Sequence, residues 1–308
     1  MIYRDIVNGP QHASAIVQGC MRMPRLSVDE AAAVIRNDYE LGINYFDHAD
    51  IYGRGQAEER FGEAFPKTGL KREDIYVQSK CGIHSAASTF DWSKEYIVSS
   101  VEGILGRLKM DYLDALLLHR PDILFDPEEV ADAFDTLHQA GKVRYFGVSN
   151  TTPMEMELLK RYMKQPLVLN QLQFSLEQSQ LVDQAIYLNN KTTDMSFARD
   201  DSVLDYCRLH DITIQAWSPL QHGMISGSFI DNPDFPEINA ALAASAEAHG
   251  LSKAAIAMAW ILRHPAKMQA IAGTMNPQHM AEIAAGTDFK MSREEWYKIY
   301  LGSGKFLP

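Results

Sequence analysis

Cysteine is scarce in this chain. Only three occur, Cys20, Cys81 and Cys207, far apart and with no CxxC pair. That number and spacing signal neither a disulfide framework nor a thiolate zinc site, and a reducing compartment is expected. Positive charge is short as well. Lys and Arg total 29 against 40 Asp and Glu, a formal net charge of −11, which argues against a basic surface for nucleic acid. Long hydrophobic runs are missing. The longest, AAIAMAWIL from Ala254, has nine residues, whereas a bilayer span needs about 20. The opening MIYRDIVNGPQH lacks a basic stretch leading into an apolar one, so no signal peptide is read. No Gly/Pro/Ser-rich linker, short repeat or low-complexity tract divides the sequence. The expectation is a soluble cytoplasmic protein, with residues 1–308 forming one domain and no membrane partner. None of these features bears on oligomeric state.

What is present is an alternation. Eight short apolar runs occur: AIVQG (15–19), NYFD (44–47), DIYVQSK (74–80), LDALLLH (113–119), VRYFGVSN (143–150), LVLNQLQ (167–173), ITIQAWS (212–218) and MQAIAG (268–273). Each precedes an amphipathic stretch. The first, SVDEAAAVIRNDYELG, opens with Ser27 and Glu30 at capping-box spacing and stops at Gly42. The stretch from Asn239 to His264 reads as one helical pattern. Runs apolar on both faces fit a buried parallel sheet, and strict alternation points to an α/β fold. Eight units in about 250 residues predict a closed (β/α)8 barrel of the TIM type. Two longer polar segments, Asn189–Asp200 and Gln221–Pro236, follow strands and are expected on the catalytic face to shape specificity. A Rossmann domain is rejected because GRGQAE, the nearest glycine motif, lacks its third glycine. No Walker lysine motif exists either.

In such a barrel, residues at the C-terminal ends of strands face one shared mouth. Asp47, Lys80, His119, Ser149, Asn150, Gln171, Trp217 and Ser218 all fall there. Lys80 ends an otherwise apolar strand, and a buried ammonium needs a partner that Asp47, one strand over, can supply. Tyr52 lies far enough past Asp47 to fold back over the mouth. A unit-charge pair at ~4 Å is worth ~4 kcal/mol at an effective dielectric of ~20. The Lys80 ammonium is therefore expected to lower the Tyr52 pKa by as much as ~3 units, with Asp47 cancelling part of it. A tyrosine so moved is a competent general acid, and His119 can hold the reacting oxygen or tune the phenol.

These segments resemble the aldo-keto reductases over nearly the whole chain. The family's tyrosine segment is similar to DHADIYG, its lysine segment to IYVQSK and its histidine segment to LDALLLHRPD. The resemblance implies a catalytic set of Asp47, Tyr52, Lys80 and His119, with Tyr52 as proton donor, Lys80 and Asp47 tuning it, and His119 orienting. It implies NADP(H) as cofactor and a small-molecule carbonyl, an aldehyde or ketone, as substrate. Ser149, Asn150 and Gln171 would hold the nicotinamide carboxamide, and Trp217 would stack on the ring. Ser218 and Leu220 would meet the pyrophosphate. The adenosine end would lie on GTMNPQHMAE, with Gly273, Thr274, His279 and Glu282, at a helix start suited to phosphate. Here the chain departs from the family, which often has basic residues gripping the 2′-phosphate. Between Arg263 and Lys290 the only Lys or Arg is Lys267. The sequence therefore leaves NADPH against NADH undecided.

Blander roles stand beside these. Asp47 and Lys80 can be a structural ion pair, Ser149 and Asn150 a helix cap, Gln171 a core amide and Trp217 a core aromatic. His48 reads as a packed histidine behind the site, and Asp50 as a turn or cap residue. His84, Phe90 and Trp92, in the loop after Lys80, are candidates for lining the substrate pocket. Two rival functions remain: a metal-dependent hydrolase or isomerase using Asp47, His48, Asp50, His84 and His119, and a nicotinamide-binding redox sensor with slow turnover.

Overall fold

All eight apolar runs become strands of one closed barrel. The structure, a computed structural model, describes residues 1–187 and 202–307. The barrel strands are β1 (Ile16–Gly19), β2 (Tyr45–Asp47), β3 (Tyr76–Cys81), β4 (Leu113–Leu118), β5 (Val143–Ser149), β6 (Leu167–Gln173), β7 (Thr213–Trp217) and β8 (Gln269–Ala272). Each pairs in parallel with its neighbour in sequence, and β8 closes against β1. The register sets Gly19 opposite Asp47, Asp47 opposite Gln78, and Gln171 opposite both Ser149 and Gln215. Polar residues from several strands thereby meet at one level.

Eleven helices are described: α1 (Val28–Glu40), α2 (Gln56–Ala64), α3 (Lys94–Leu108), α4 (Pro127–Gln139), α5 (Pro153–Tyr162), α6 (Gln180–Tyr187), α7 (Val203–Leu209), α8 (Pro236–His249), α9 (Lys253–Leu262), α10 (Pro277–Ala285) and α11 (Arg293–Gly302). The capping box at Ser27 and Glu30 forms as expected. The run from Asn239 to His264 is not one helix. Gly250 adopts φ +64° and ends α8, and the Ser252 side chain caps α9 by accepting from the Ala255 amide. A left-handed glycine followed by a capping serine terminates and restarts the helix whatever the apolar pattern. Helices α6 and α11 were not anticipated, although Ser292 caps α11 and Trp296, Ile299 and Tyr300 bury its inner face.

An antiparallel ribbon, Tyr3–Arg4 with Ala13–Ser14, covers the N-terminal end of the barrel. It is tied there by Asn44, whose side chain accepts from the Ser14 amide, and by the Tyr76 hydroxyl, which donates to the Gln11 carbonyl. Ile6, fully buried, packs with Val17, Tyr45, Leu117 and Val168 inside the barrel. With that end plugged, the open mouth lies at the C-terminal ends of the strands. The Asn189–Asp200 segment, expected to shape specificity, lies outside the described residues. The other polar segment is described: Gln221–His222 pairs with Gly227–Ser228 over the mouth.

Candidate active site

Asp47 and Lys80 meet where β2 and β3 run side by side. Lys80 Nζ lies 2.7 Å from Asp47 Oδ1, both side chains being buried, and also donates to the His48 carbonyl at 2.7 Å. Burial alone would lower the lysine's pKa, but the Asp47 charge and then Tyr52 outweigh it, so the ammonium is held above its ordinary value.

Tyr52 is returned to this pair by its backbone. The ladder of β3 continues past β2, with the His48 amide donating to the Gln78 carbonyl and the Asp50 amide to the Lys80 carbonyl. The chain then turns through Gly53, Arg54 and Gly55, whose φ values of 59°, 56° and 90° are all left-handed, before α2 begins. At Gly55 any Cβ would come within 2.7 Å of the Arg107 side chain, so this tight turn requires glycine. The outcome is a Tyr52 hydroxyl 3.2 Å from Lys80 Nζ.

The electrostatics differ from expectation in one respect. Burial raises the Tyr52 pKa, the Lys80 ammonium works against that, Asp47 raises it again, and the net lies above the usual phenol value. Charge alone suggested a phenol driven toward neutrality; desolvation of the phenolate overrides it. Tyr52 therefore stays protonated through the ordinary pH range. Lys80 acts by standing beside the phenolate once a proton has left.

His119 follows β4, its amide donating to the Cys81 carbonyl. Its ring stands edge-on to Tyr52, centroids 6.0 Å apart. Burial, then the Lys80 and Arg120 charges, hold its pKa well below normal, so the ring is neutral. Its Nδ1 is buried without a hydrogen-bond partner.

A layer of glutamines, one from each of five strands, lies beneath this group and was not anticipated. Gln78 and Gln171 donate to Asp47 Oδ1 at 2.6 and 3.1 Å, and both also donate to Gln215 Oε1 at 2.8 and 3.1 Å. Gln215 donates in turn to Gln269 Oε1 at 2.9 Å. Gln18 donates to the carbonyls of Gly19 and Ala272. The strand interiors are therefore not wholly apolar. The signal was legible: VQG, VQS, NQL, IQA and MQA repeat a glutamine at matching depth.

Above the layer opens a cavity of about 990 Å³, at the upper end for small-molecule sites. Asp47, Tyr52, His119, Ser149, Asn150, Gln171, Trp217, Ser218, Leu220, Gly273, Thr274, His279 and Glu282 all line it. Lys80 lies just behind, reaching it through Tyr52. Asn150 takes a left-handed conformation, φ +57°, held by the Trp217 indole donating to its Oδ1 at 3.1 Å and by its own amide donating to Ser149 Oγ at 2.8 Å. Ser218, at φ +53°, is strained in the same sense, a cost of order 1–3 kcal/mol that the surroundings must enforce. At one end the cavity offers amides and hydroxyls beside a partly buried indole. At the other it offers the backbone of residues 273–276 leading into α10. That donor set fits a nicotinamide dinucleotide.

Other expectations are corrected or narrowed. Of the loop after Lys80, Ile83 rather than His84 lines the cavity. Trp92 is fully buried against Phe125 and Phe90 is exposed. His48 is packed away from the cavity, edge-on to Phe61, and burial followed by the Lys80 charge takes its pKa to about 3. Asp50 lies in the turn ahead of Tyr52, one of the two roles expected of it, and caps no helix; burial and the nearby Glu58 push its carboxyl up to about 7. The rival metal-ligand set is not drawn together: Asp47 is engaged by Lys80 and the glutamines, and among the described residues no three His, Cys, Asp or Glu side chains converge. Three arginines lining the cavity, Arg22, Arg25 and Arg120, were also missed. The Arg120 guanidinium lies 5.7 Å from the Trp217 ring centre.

The model of the aldo/keto reductase family matches residues 15–300. The chain is 33% identical over 299 residues to the uncharacterized oxidoreductase YcsN of Bacillus subtilis, covering 93% of each. It is 33% identical to a 6-dehydroglucose reductase of Agrobacterium fabrum, covering 98% of this chain and 91% of that one. Among solved structures, an aldo-keto reductase from Klebsiella pneumoniae in complex with NADPH superposes with a TM-score of 0.76 at 26% identity, covering 98% of this chain and 96% of that one.

Proposed function

The chain belongs to the aldo/keto reductase family, and on that premise we propose that it reduces an aldehyde or ketone to an alcohol with NADPH, Tyr52 giving the proton. It is an oxidoreductase by family, and the proposal concerns substrate, cofactor and residue roles. The observation that carries it is the Tyr52 hydroxyl 3.2 Å from a fully buried ammonium at the floor of a cavity large enough for both reactants.

A reduced nicotinamide held here would supply hydride to the carbonyl carbon. The protein's part is the other half of the reaction. Tyr52 donates its proton to the carbonyl oxygen as negative charge develops there. Lys80 then faces the phenolate at close range in a dry site, where such stabilisation is strongest. Asp47 keeps Lys80 in place, and Gln78 and Gln171 keep Asp47 in place. A neutral His119 orients the reacting oxygen without competing as an acid. Ser149, Asn150 and Gln171 read the carboxamide, and Trp217 stacks on the ring. Ser218 and Leu220 meet the pyrophosphate. Gly273, Thr274, His279 and Glu282 take the adenosine end. Residues 1–308 act as one domain.

Support for NADPH comes from the cofactor of the Klebsiella pneumoniae relative, and support for a sugar-like carbonyl from the name of the Agrobacterium fabrum relative. Among the described residues no helix is long and apolar enough to cross a membrane. The test is a fluorescence titration with NADPH and NADH, followed by NADPH oxidation on a panel of aldehydes, ketones and oxidised sugars. Binding and turnover of at least one carbonyl are expected; no binding of either dinucleotide would refute the proposal.

A further inference from the structure

The cavity's far end, where residues 273–276 lead into α10, carries no lysine or arginine of its own. A dinucleotide presents its phosphates to that half of the site, and anions in a partly dry cleft need compensating charge. Barrel closure supplies a source that sequence distance hides. Because β8 pairs with β1, the loop after β1 lies beside the loop after β8. Arg22, on that first loop, donates from Nη1 to the Gly273 carbonyl at 3.1 Å. Glycine at residue 273 leaves the guanidinium this place, since a Cβ there would fall 2.7 Å from the same nitrogen.

That bond uses one of five guanidinium donors. Among the described residues Arg22 makes no ion pair, and the Arg25 side chain has neither ion pair nor hydrogen bond. Both line the cavity. Of the carboxylates on the same wall, Asp231 is neutralised by Lys253, and Glu282 forms no ion pair with either arginine. The third cation, Arg120, is committed to the Tyr52 and Trp217 end. Two arginines without ion pairs thus face the end of the cavity that has no cation of its own, and a guanidinium fork matches phosphate geometry.

We infer that Arg22, assisted by Arg25, holds the phosphates of the dinucleotide, replacing from the first loop the basic residues absent from the last. This rests on reading the cavity as a nicotinamide dinucleotide site. The shared chemistry is a phosphate anion, either the pyrophosphate or the 2′-phosphate.

The test is equilibrium binding, independent of turnover. NADPH and NADH are titrated into the intact protein, into Arg22→Gln, which keeps a donor for the Gly273 carbonyl, and into Arg25→Gln. Folding is checked by circular dichroism. For Arg22→Gln the NADPH Kd is expected to rise about tenfold or more, and for Arg25→Gln, which is more exposed, a few-fold. Loss confined to NADPH assigns the 2′-phosphate; equal loss for NADPH and NADH assigns the pyrophosphate. Unchanged affinities for both dinucleotides in the folded variants would overturn the inference. Should Arg22→Gln not fold, Arg25→Gln decides it, an unchanged NADPH Kd counting against. Failure of the unsubstituted protein to bind either dinucleotide would instead overturn the reading of the cavity.

Discussion

Lys80 Nζ sits 2.7 Å from Asp47 Oδ1 with neither side chain open to solvent. A charge so placed has two functions to lose. Replacing it by Lys80→Met leaves a buried, unpaired carboxylate, which costs about 3–5 kcal/mol of stability. It also removes the cation that would meet the Tyr52 phenolate, so kcat is expected to fall by about 10²-fold or more. A urea midpoint beside steady-state kinetics separates these effects. The double variant Asp47→Asn with Lys80→Met should recover part of the stability and none of the rate. Recovery of both would show that the pair is structural only.

The glutamine layer makes a separate prediction about stability. Gln215→Leu takes the donor from Gln78 Oε1 and Gln269 Oε1. At about 1–3 kcal/mol for each buried group left unsatisfied, the loss should be on the order of 3 kcal/mol in urea unfolding. An unchanged midpoint would mean the layer is relaxed by water or by rearranged amides.

His48 gives a pH dependence whose sign is determined. Its folded pKa is about 3 against 6.5 in the unfolded chain. Between those values the unfolded state binds the extra proton, so this residue's contribution to stability is intact above about 6.5 and is lost as the pH falls toward 3. From pH 7 to pH 5 the loss should be roughly 2 kcal/mol. The partly buried carboxyl of Asp50, raised to about 7, works oppositely over much of this range. The quantity to measure is therefore the difference between the unsubstituted protein and His48→Leu. The gap between their unfolding free energies should change by that amount across the range, and a constant gap would refute the burial argument.

Val, Ile and Leu runs at near-regular spacing were enough for eight strands and their closure, because parallel buried strands need little else. Tyr52, Lys80 and His119 were legible since strand ends become one mouth. Gly250 and Ser252 were visible as a stop and a start, yet the apolar run across them masked the break. Arg22 was missed because closure of β8 on β1 brings two loops together without saying which side chain bridges them. The Tyr52 acidity was misjudged for a different reason. Neighbouring charges can be read from strand order, but the dryness of a hydroxyl depends on the whole cavity wall.

The Tyr52 hydroxyl is the proposed proton source, and Tyr52→Phe removes that hydroxyl alone. Once a carbonyl substrate is found, kcat for the variant is expected to fall by about 10²–10⁴-fold, with the NADPH Kd nearly unchanged. A kcat close to that of the unsubstituted protein would contradict Tyr52 as the proton donor.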